Sequence, residues 1–539
     1  MTLRALAASA ALLLCTALAL AAQPLPGVKH VVVIGVDGLS PAGIDFAHTP
    51  VLNDLIRDGS YTFKARAVFP TSSSSNWMSM ISGAGPELHG VTGNDWQRDD
   101  GSVVPVETGI EGMYPTIFSR LRAARPDAKI VVVHDWDGFA RLFEHSACDV
   151  ALQRDSAAAT TSTAIEHIKT LKPTLTFIHL DHVDGAGHGS GWESGPYLQA
   201  VTLADTYIGQ VVAALKDAGM WDSTILIITS DHGGVARSHG GESMAEIEIP
   251  WIIHGPGIAK SRRILASVNT IDTAAMVARA LGFTLAPSAL GRPVEQALAT
   301  SPEGPGQSVT TPYIPAPRIS PRSARLVDES GAVTLTSEVD GAEIRYTIDG
   351  STPTASSPLY SAPIPIARST GLTAATFTAE GQSQPVTANY RVLTTIPGKG
   401  ASFEVFAGHF NLVPNFTGLS VAKRGTSPEI DFEDLSIPVE SFAARFKATL
   451  NLETAGTYKF WTESDDGSRL FIDGKSVVNN DGDHGPRLRS GEVKLSPGPH
   501  TVEVTYFNST GSGVLRVYMA APGGKRELLD NSKLTPSPY

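Results

Sequence analysis

From Lys29 to about Thr300 the chain alternates short apolar runs with longer amphipathic stretches, and this alternation restricts the fold more than any other feature. The runs are VVVIGV (31–36), KIVVVH (129–134), TLTFIHL (174–180), TILIIT (224–229) and IPWIIH (249–254). Helical stretches such as YLQAVTLADTYIGQVVAALKDAG (197–219) lie between them. Apolar strands separated by helices predict an α/β domain on a parallel sheet covered on both faces.

In such a sheet the strand carboxyl ends line one crevice, where ligands bind. VVVIGV runs into Asp37, TFIHL into a segment with Asp184 and His188, and LIITS into Asp231 and His232. Carboxylates converging from three strands repel one another unless a cation sits among them. With His239 of SHGGES, these residues form a mixed oxygen and nitrogen donor set that suits zinc or a similar transition ion better than calcium or magnesium. Each alone has a plain explanation as a cap or turn former. Together, in chain order, they are hard to obtain by accident. His179 and His182 read as structural neighbours, His254 competes with His239, and Asp205 and Asp217 read as solvated or capping residues.

The stretch FPTSSSSNWMSMISGAGPELHGVTGN (69–94) places consecutive hydroxyls, Thr71 to Ser75, ahead of a helix opening at SNWMSMIS (75–82). A helix N-terminus favours an anion, so an alkoxide and a phosphoryl group are both stabilised there. A capping serine in a polar loop accounts for one or two of the hydroxyls only.

The 539 residues exceed a single core and imply roughly three or four domains. Lys and Arg total 42 against 54 Asp and Glu, a net charge of −12 that argues against nucleic-acid duplex binding. Residues 1–22 read as a secretory signal peptide, predicting a secreted or periplasmic protein with no transmembrane segment once it is removed. Cys148 is then the one cysteine left, so no internal disulfide is expected. The predicted organisation is an α/β domain over 26–300, a Pro/Gly-rich linker over 301–321, and β-sandwich modules over 322–393 and 400–539.

The order VVVIGVDGL, FPTSSSSNWMSMISGAGPELHGVTGN, DGAGH, SDHGG and HGGESMAEIEIPW resembles the alkaline phosphatase superfamily, most closely its nucleotide pyrophosphatase/phosphodiesterase branch. The resemblance implies a two-zinc phosphoesterase, with manganese as the other candidate ion, acting on a small phosphoester through a phosphoserine. Ser73 is its implied nucleophile and a metal ligand; Thr71 and Ser72 rank below it. Asp37, Asp231 and His232 match ligands of one metal, Asp184, His188 and His239 those of the other, and Asn94 matches the amide that holds a phosphoryl oxygen, together with a backbone N–H next to Ser73. The family often has Thr at Ser73, Pro at Ser75 and His at Trp77, and its last ligand histidine often lies farther downstream than His239. The sulfatase nucleophile motif is absent. Phosphomonoesterases of the superfamily clamp phosphate with an arginine; none adjoins Ser73 in the sequence, which favours diesters and leaves Arg98 as the residue to consider. Phosphomonoester or phosphonate hydrolysis on the same metals is the alternative.

EIRYTIDGSTPTASSPLYSAPI (343–364) resembles the fibronectin-like C-terminal module of chitobiases and β-hexosaminidases, which implies a spacer. YKFWTESDDGSRLFIDGKSVVNNDGDHG (458–485) resembles the protective-antigen-type β-sandwich, in which Asp465 and Asp466 would hold calcium beside a sugar; a hairpin-turn role is the other reading of the pair. A glycan-binding adhesin with an inactive first domain is therefore the competing reading of the whole chain.

Overall fold

The computed structural model describes residues 23–99, 103–304, 308–322, 324–327, 330–432, 435, 441–485, 487–509, 513–529 and 531–539. The expected signal peptide, 1–22, lies outside them.

Nine strands build the first sheet: β1 (His30–Val36), β2 (Ser60–Arg66), β3 (Ile130–His134), β4 (Val150–Gln153), β5 (Leu175–Leu180), β6 (Thr224–Thr229), β7 (Glu248–His254), β8 (Arg262–Ile264) and β9 (Ser308–Thr310). Their order is β4-β3-β5-β1-β6-β7-β2-β8-β9. Strands β4, β3, β5, β1 and β6 run parallel, with Gly35 of β1 paired to His179 of β5 and Thr229 of β6. That common register brings the ends of β1, β5 and β6 to one edge, which is the crevice the sequence predicts.

Alternate residues of β1 serve opposite cores, as the two-residue period of a strand requires. Val31 and Val33 pack with α1 (Ser73–Ser82) and α5 (Asp272–Leu281), whereas Val32 and Ile34 pack with α2 (Ala157–Leu171) and α4 (Gly195–Asp217). Between Asp37 and Asp231 lies one further helix of the site, α3 (His182–Ser190). Helix α4 is long and apolar enough to cross a membrane, but Val201, Ala204, Ile208, Val211 and Leu215 are buried in the second core. Asp205 on this helix is buried rather than solvated, and accepts the Val51 and Leu52 N–H groups at 3.1 and 2.7 Å, capping the neighbouring helix Pro50–Arg57.

Two expectations change. The run IPWIIH is antiparallel to β6, pairing Leu226 with His254, so the sheet is mixed. The loop after Asp231 stays at the crevice, and the chain then returns in the reverse direction. His254 is thereby carried to the amino end of β6, where it stacks on Trp221 at 4.6 Å and cannot compete with His239. The segment read as a linker contributes β9, antiparallel to β8, and Tyr313 packs edge-on against Tyr61 at 5.4 Å.

Beyond it come the two β-sandwich modules. In the first, Val333, Leu335, Ile344, Leu372 and Ala388 fill the space between a three-stranded and a larger sheet. The second has its own core around Phe446, Phe460, Val504 and Tyr506. Asp473 and Gly474, both with positive φ (50° and 76°), form the two-residue turn expected there between Ser468–Ile472 and Lys475–Asn480.

One buried histidine of the first domain predicts an acid response. His89 accepts the Val91 N–H at Nδ1 (3.0 Å) and meets the Ser79 hydroxyl at Nε2 (2.9 Å), an arrangement that requires a neutral ring. Burial lowers its pKa from 6.5 to about 3. The unfolded chain therefore binds this proton first; the contribution is complete above 6.5 and is lost as pH falls toward 3. Denaturation series at successive pH values should give up to about 1.4 kcal/mol less stability per unit in this window, and His89→Gln should flatten that slope.

Candidate metal centre

Asp37, directly after β1, has its two oxygens in different surroundings. Oδ2 receives the Trp77 indole N–H at 3.0 Å and faces His179 Nε2 at 3.3 Å. His179 Nδ1 faces Asp135 Oδ1 at 3.4 Å. Burial alone would lower His179, but its bonds to Asp135 and Asp37 and their charges prevail and lift it to about 9. His179 is thus a charged clamp on Asp37. Burial would raise Asp37 in turn, yet His179 and His232 outweigh it and hold the carboxyl below the usual range. A Cβ on Gly35 would lie 2.4 Å from the Trp77 ring, so the missing side chain is what admits the indole. Asp37 Oδ1 is left buried with no hydrogen-bond partner among the described residues.

Asp231 and Asp184 repeat this arrangement. Asp231 Oδ1 accepts the Gly38 N–H at 3.2 Å, and its Oδ2 has no partner. One turn of α3 separates Asp184 from His188, leaving 3.3 Å between Asp184 Oδ2 and His188 Nε2. Asp184 Oδ1 is also unpartnered, 3.7 Å from His239 Nε2. Burial, then the charges of Asp37 and Asp184, push Asp231 well above the ordinary carboxylate range.

The histidines share one orientation. His232 Nδ1 meets the Gly233 carbonyl at 2.8 Å, His188 Nδ1 that of Arg237 at 2.9 Å, and His239 Nδ1 that of Thr71 at 2.9 Å. A carbonyl only accepts, so each Nδ1 carries a proton and each ring turns its Nε2 toward the carboxylates. His232 Nε2 lies 3.2 Å from Asp231 Oδ2 and 3.4 Å from Asp37 Oδ1. Lone pairs facing orphaned carboxylate oxygens repel in the absence of positive charge. Asp184 by its hydrogen bond would draw His188 up to about 9, so a cation at this point, proton or metal, is what the site favours. Donor atoms of Asp37, Asp184 and His232 approach within 4.8 Å, as do those of Asp184, His188 and His239. Outward donation from Nδ1 with Nε2 turned inward is the arrangement of metal-bound imidazoles. The residues present therefore fit divalent ions with nitrogen and oxygen ligands. Asp37, His179 and Asp181 also approach within 4.8 Å, but both His179 nitrogens already face carboxylates.

Trp77 gives this arrangement a direct test. Trp77→Phe keeps a ring in the core but removes the N–H that fixes Asp37 Oδ2. Metal affinity should fall about 10- to 100-fold by competition with a chromogenic chelator, with no loss of stoichiometry at saturation.

The hydroxyl run is resolved by its hydrogen bonds. Helix α1 begins at Ser73, two residues before the sequence pattern suggests, with Ser72 as N-cap. Thr71 Oγ1 is held by the Gly241 carbonyl and the Gly240 N–H, while Ser72 donates to Ser75 at 3.1 Å. Ser74 Oγ accepts from Arg141. Ser73 Oγ alone of the run faces His232 Nε2, at 3.2 Å. Asn94 Oδ1 accepts the Ser74 N–H at 2.8 Å, so its NH₂ group is free to donate while that backbone N–H is already occupied.

Arg98 turns away, bound to the Arg141 and Phe143 carbonyls and to Glu111. Folding instead brings Arg141, distant in sequence, to Ser74 and to the Asn94 carbonyl. Arg141 and Asp135 were not singled out in the sequence, whereas His179 was read there as a structural neighbour of the ligands, the place it takes beside Asp37. The signal for Asp135 was present, since the apolar run KIVVVH also ends directly in a carboxylate.

In the last module Asp465 and Asp466 lie where the chain crosses between sheets, from Gly456–Asp465 to Ser468–Ile472, which leaves the hairpin-turn role to Asp473 and Gly474. Asp466 accepts the His484 and Ser509 N–H groups, and Asp465 Oδ2 is buried without a partner. Burial, then Asp466, Glu246 and Asp483, push Asp465 up to about 8. Glu246 belongs to the His239 loop of the first domain, so the acidic pair faces that loop.

A mixed α/β sheet with carboxylate and imidazole donors at its strand ends defines the first domain as one built around a crevice whose side chains could hold a metal ion. Residues 31–247 match the type I phosphodiesterase / nucleotide pyrophosphatase family, residues 323–388 the chitobiase/β-hexosaminidase C-terminal domain and residues 407–533 the PA14 domain, and the chain carries these three domains in that order. It is 25% identical over 198 residues to ectonucleotide pyrophosphatase/phosphodiesterase family member 3 of Rattus norvegicus, covering 34% of this chain and 22% of that protein. Family member 1 of Homo sapiens is 22% identical over 231 residues, 35% of this chain and 22% of its own. The chain thus spans about a fifth of the length of these relatives. Murine ectonucleotide pyrophosphatase/phosphodiesterase 5, solved in an inactive form with AMP, aligns with a TM-score of 0.43 at 18% identity over 50% of this chain and 100% of that one.

Proposed function

We propose that the chain is an exported, metal-dependent phosphoesterase of the type I phosphodiesterase class, working through a phosphoserine on Ser73. The observation that carries this reading is the set of three carboxylate oxygens without partners among the described residues and three inward Nε2 atoms, one of them facing the Ser73 hydroxyl. Asp37, Asp231 and His232, with Ser73, would hold one zinc or manganese ion, and Asp184, His188 and His239 the other. When bound, such ions supply Lewis acidity: they lower the pKa of an alcohol and neutralise phosphoryl charge.

The chain's own residues do the rest. Ser73 Oγ, as the alkoxide, attacks phosphorus; its O–P bond forms as the bond to the leaving alcohol breaks. The dipole of α1 favours the anion at its first residue. The Asn94 NH₂ group, oriented by the bond from Ser74 to Oδ1, donates to a phosphoryl oxygen. Water then attacks the phosphoserine, releasing phosphate or its monoester and restoring the Ser73 hydroxyl. In the PA14 domain the finer reading is calcium at Asp465 and Asp466 beside a sugar, which would tether the enzyme to glycans.

The test is turnover of a chromogenic phosphodiester, phosphomonoester, phosphonate and sulfate ester before and after chelation. Metal-restored hydrolysis of a phosphoester supports the reading. No metal-dependent turnover on any of them, with retention on a glycan array, would instead support the adhesin.

A further inference from the structure

Resting on the phosphoesterase reading, we propose that Arg141 is a specificity-determining residue that binds a phosphoryl oxygen beside Ser73, and that the substrates include phosphate monoesters. Arg141 is the penultimate residue of a short 3-10 turn, Asp137–Leu142, far from Ser73 in sequence. Its Nη2 donates to Ser74 Oγ at 3.2 Å and to the Asn94 carbonyl. The guanidinium is therefore fixed to the residue that follows the nucleophile and to the residue whose amide is free to hold a phosphoryl oxygen.

Two of its three nitrogens, Nε and Nη1, donate to no acceptor among the described residues. Arg141 Nε is buried and has no acceptor among the described residues. A planar guanidinium carries five N–H groups, and with both Nη2 hydrogens taken by Ser74 and Asn94 its Nε and Nη1 groups remain as donors for an oxyanion held beside the nucleophile. Leaving a buried charged donor unpaired is costly, which favours a ligand oxygen there.

The position is also preorganised. Arg98 grips the Arg141 and Phe143 carbonyls, the guanidinium lies 5.7 Å over the Trp136 ring, and Trp136 stacks on His179, the clamp on Asp37. The arginine and the metal ligands are thus positioned by one continuous packing arrangement.

Charge then identifies the substrate class. A phosphodiester presents one anionic charge, shared over two oxygens that the metals and Asn94 can serve. A monoester carries an additional anionic oxygen, and in a protein of net charge −12, with Asp37, Asp184 and Asp231 lining the crevice, that oxygen needs its own cation. Arg141 supplies one on the Ser74 side of the nucleophile.

The experiment compares kcat/KM for an aryl phosphate monoester and an aryl methyl phosphodiester in the metal-loaded full chain, in Arg141→Ala and in Arg141→Lys. Inorganic phosphate binding by calorimetry is a second readout, and thermal melts check folding. Arg141→Ala should cost about 100-fold or more on the monoester and less than about tenfold on the diester, with phosphate binding weakened in parallel and part of the loss restored by lysine. Equal losses on both esters with unchanged phosphate affinity would overturn the specificity role. Wild-type turnover of the diester with none of the monoester would overturn the substrate class while leaving the phosphoesterase reading intact, whereas no turnover of either ester would overturn both.

Discussion

Ser73→Ala is expected to lower phosphoester turnover about 10⁴-fold or more, while leaving the fold and the metal content nearly unchanged. The structure makes this a clean substitution. Ser72, not Ser73, is the N-cap of α1, alanine is the best helix former, and the one side-chain contact of Ser73 is with His232 Nε2. Rapid-quench labelling with a phosphorus-labelled substrate should trap a phosphoserine in the wild-type chain and none in the variant. Thr71→Ala is the informative control. It removes the bonds to Gly240 and Gly241, so it should disturb the His239 loop and weaken metal binding without removing the labelled serine. A Ser73→Ala protein that keeps more than about a tenth of the activity, or a label found on Thr71 or Ser72, would refute the assignment.

Asp231→Asn should change stability in opposite directions with and without metal. In the wild-type chain Asp231 is fully buried beside Asp37 and Asp184 in a crevice shared with His232. Removing one carboxylate relieves repulsion, so after chelation the variant should melt above the wild-type chain. With metal present the order should reverse, because a ligand bound at a thousandfold excess over Kd stabilises the native state by about 4 kcal/mol, and the variant forfeits most of that at one site. Elemental analysis should show the metal content falling by about one ion per chain, with turnover falling alongside. The melts concern the first domain's transition, since the β-sandwich modules have cores of their own. If chelation shifts neither the melting curve nor the activity of the wild-type protein, the crowding of these carboxylates has some other explanation.

The two substitutions divide the site into chemistry and electrostatics. On the proposed reading Ser73 supplies the reacting oxygen, and it contributes little structure. Asp231 supplies charge on which the geometry of His232 and Gly38 also depends. Loss at Asp231 should therefore be partly rescued by a higher metal concentration, and loss at Ser73 should not.

Much of this was legible in the chain alone. Alternating apolar runs and helices specify a layered α/β domain because a strand buried on both faces has no polar positions to spare, and β1 divides its residues between two cores as that requires. Carboxylates at or just beyond the ends of three such runs specify one acidic crevice, since parallel strands in common register must place their ends together. What the order of residues did not contain was strand direction after Asp231, the start of α1, and contacts made across long separations. The reversal of β7 excluded His254, the helix start turned Ser73 and no other hydroxyl of its run toward His232, and Arg141, stacked on Trp136, meets Ser74. Periodicity reports which faces of an element are buried, and so determines the layers; which side chain meets which depends on the relative placement of elements, and that is set only when the cores close.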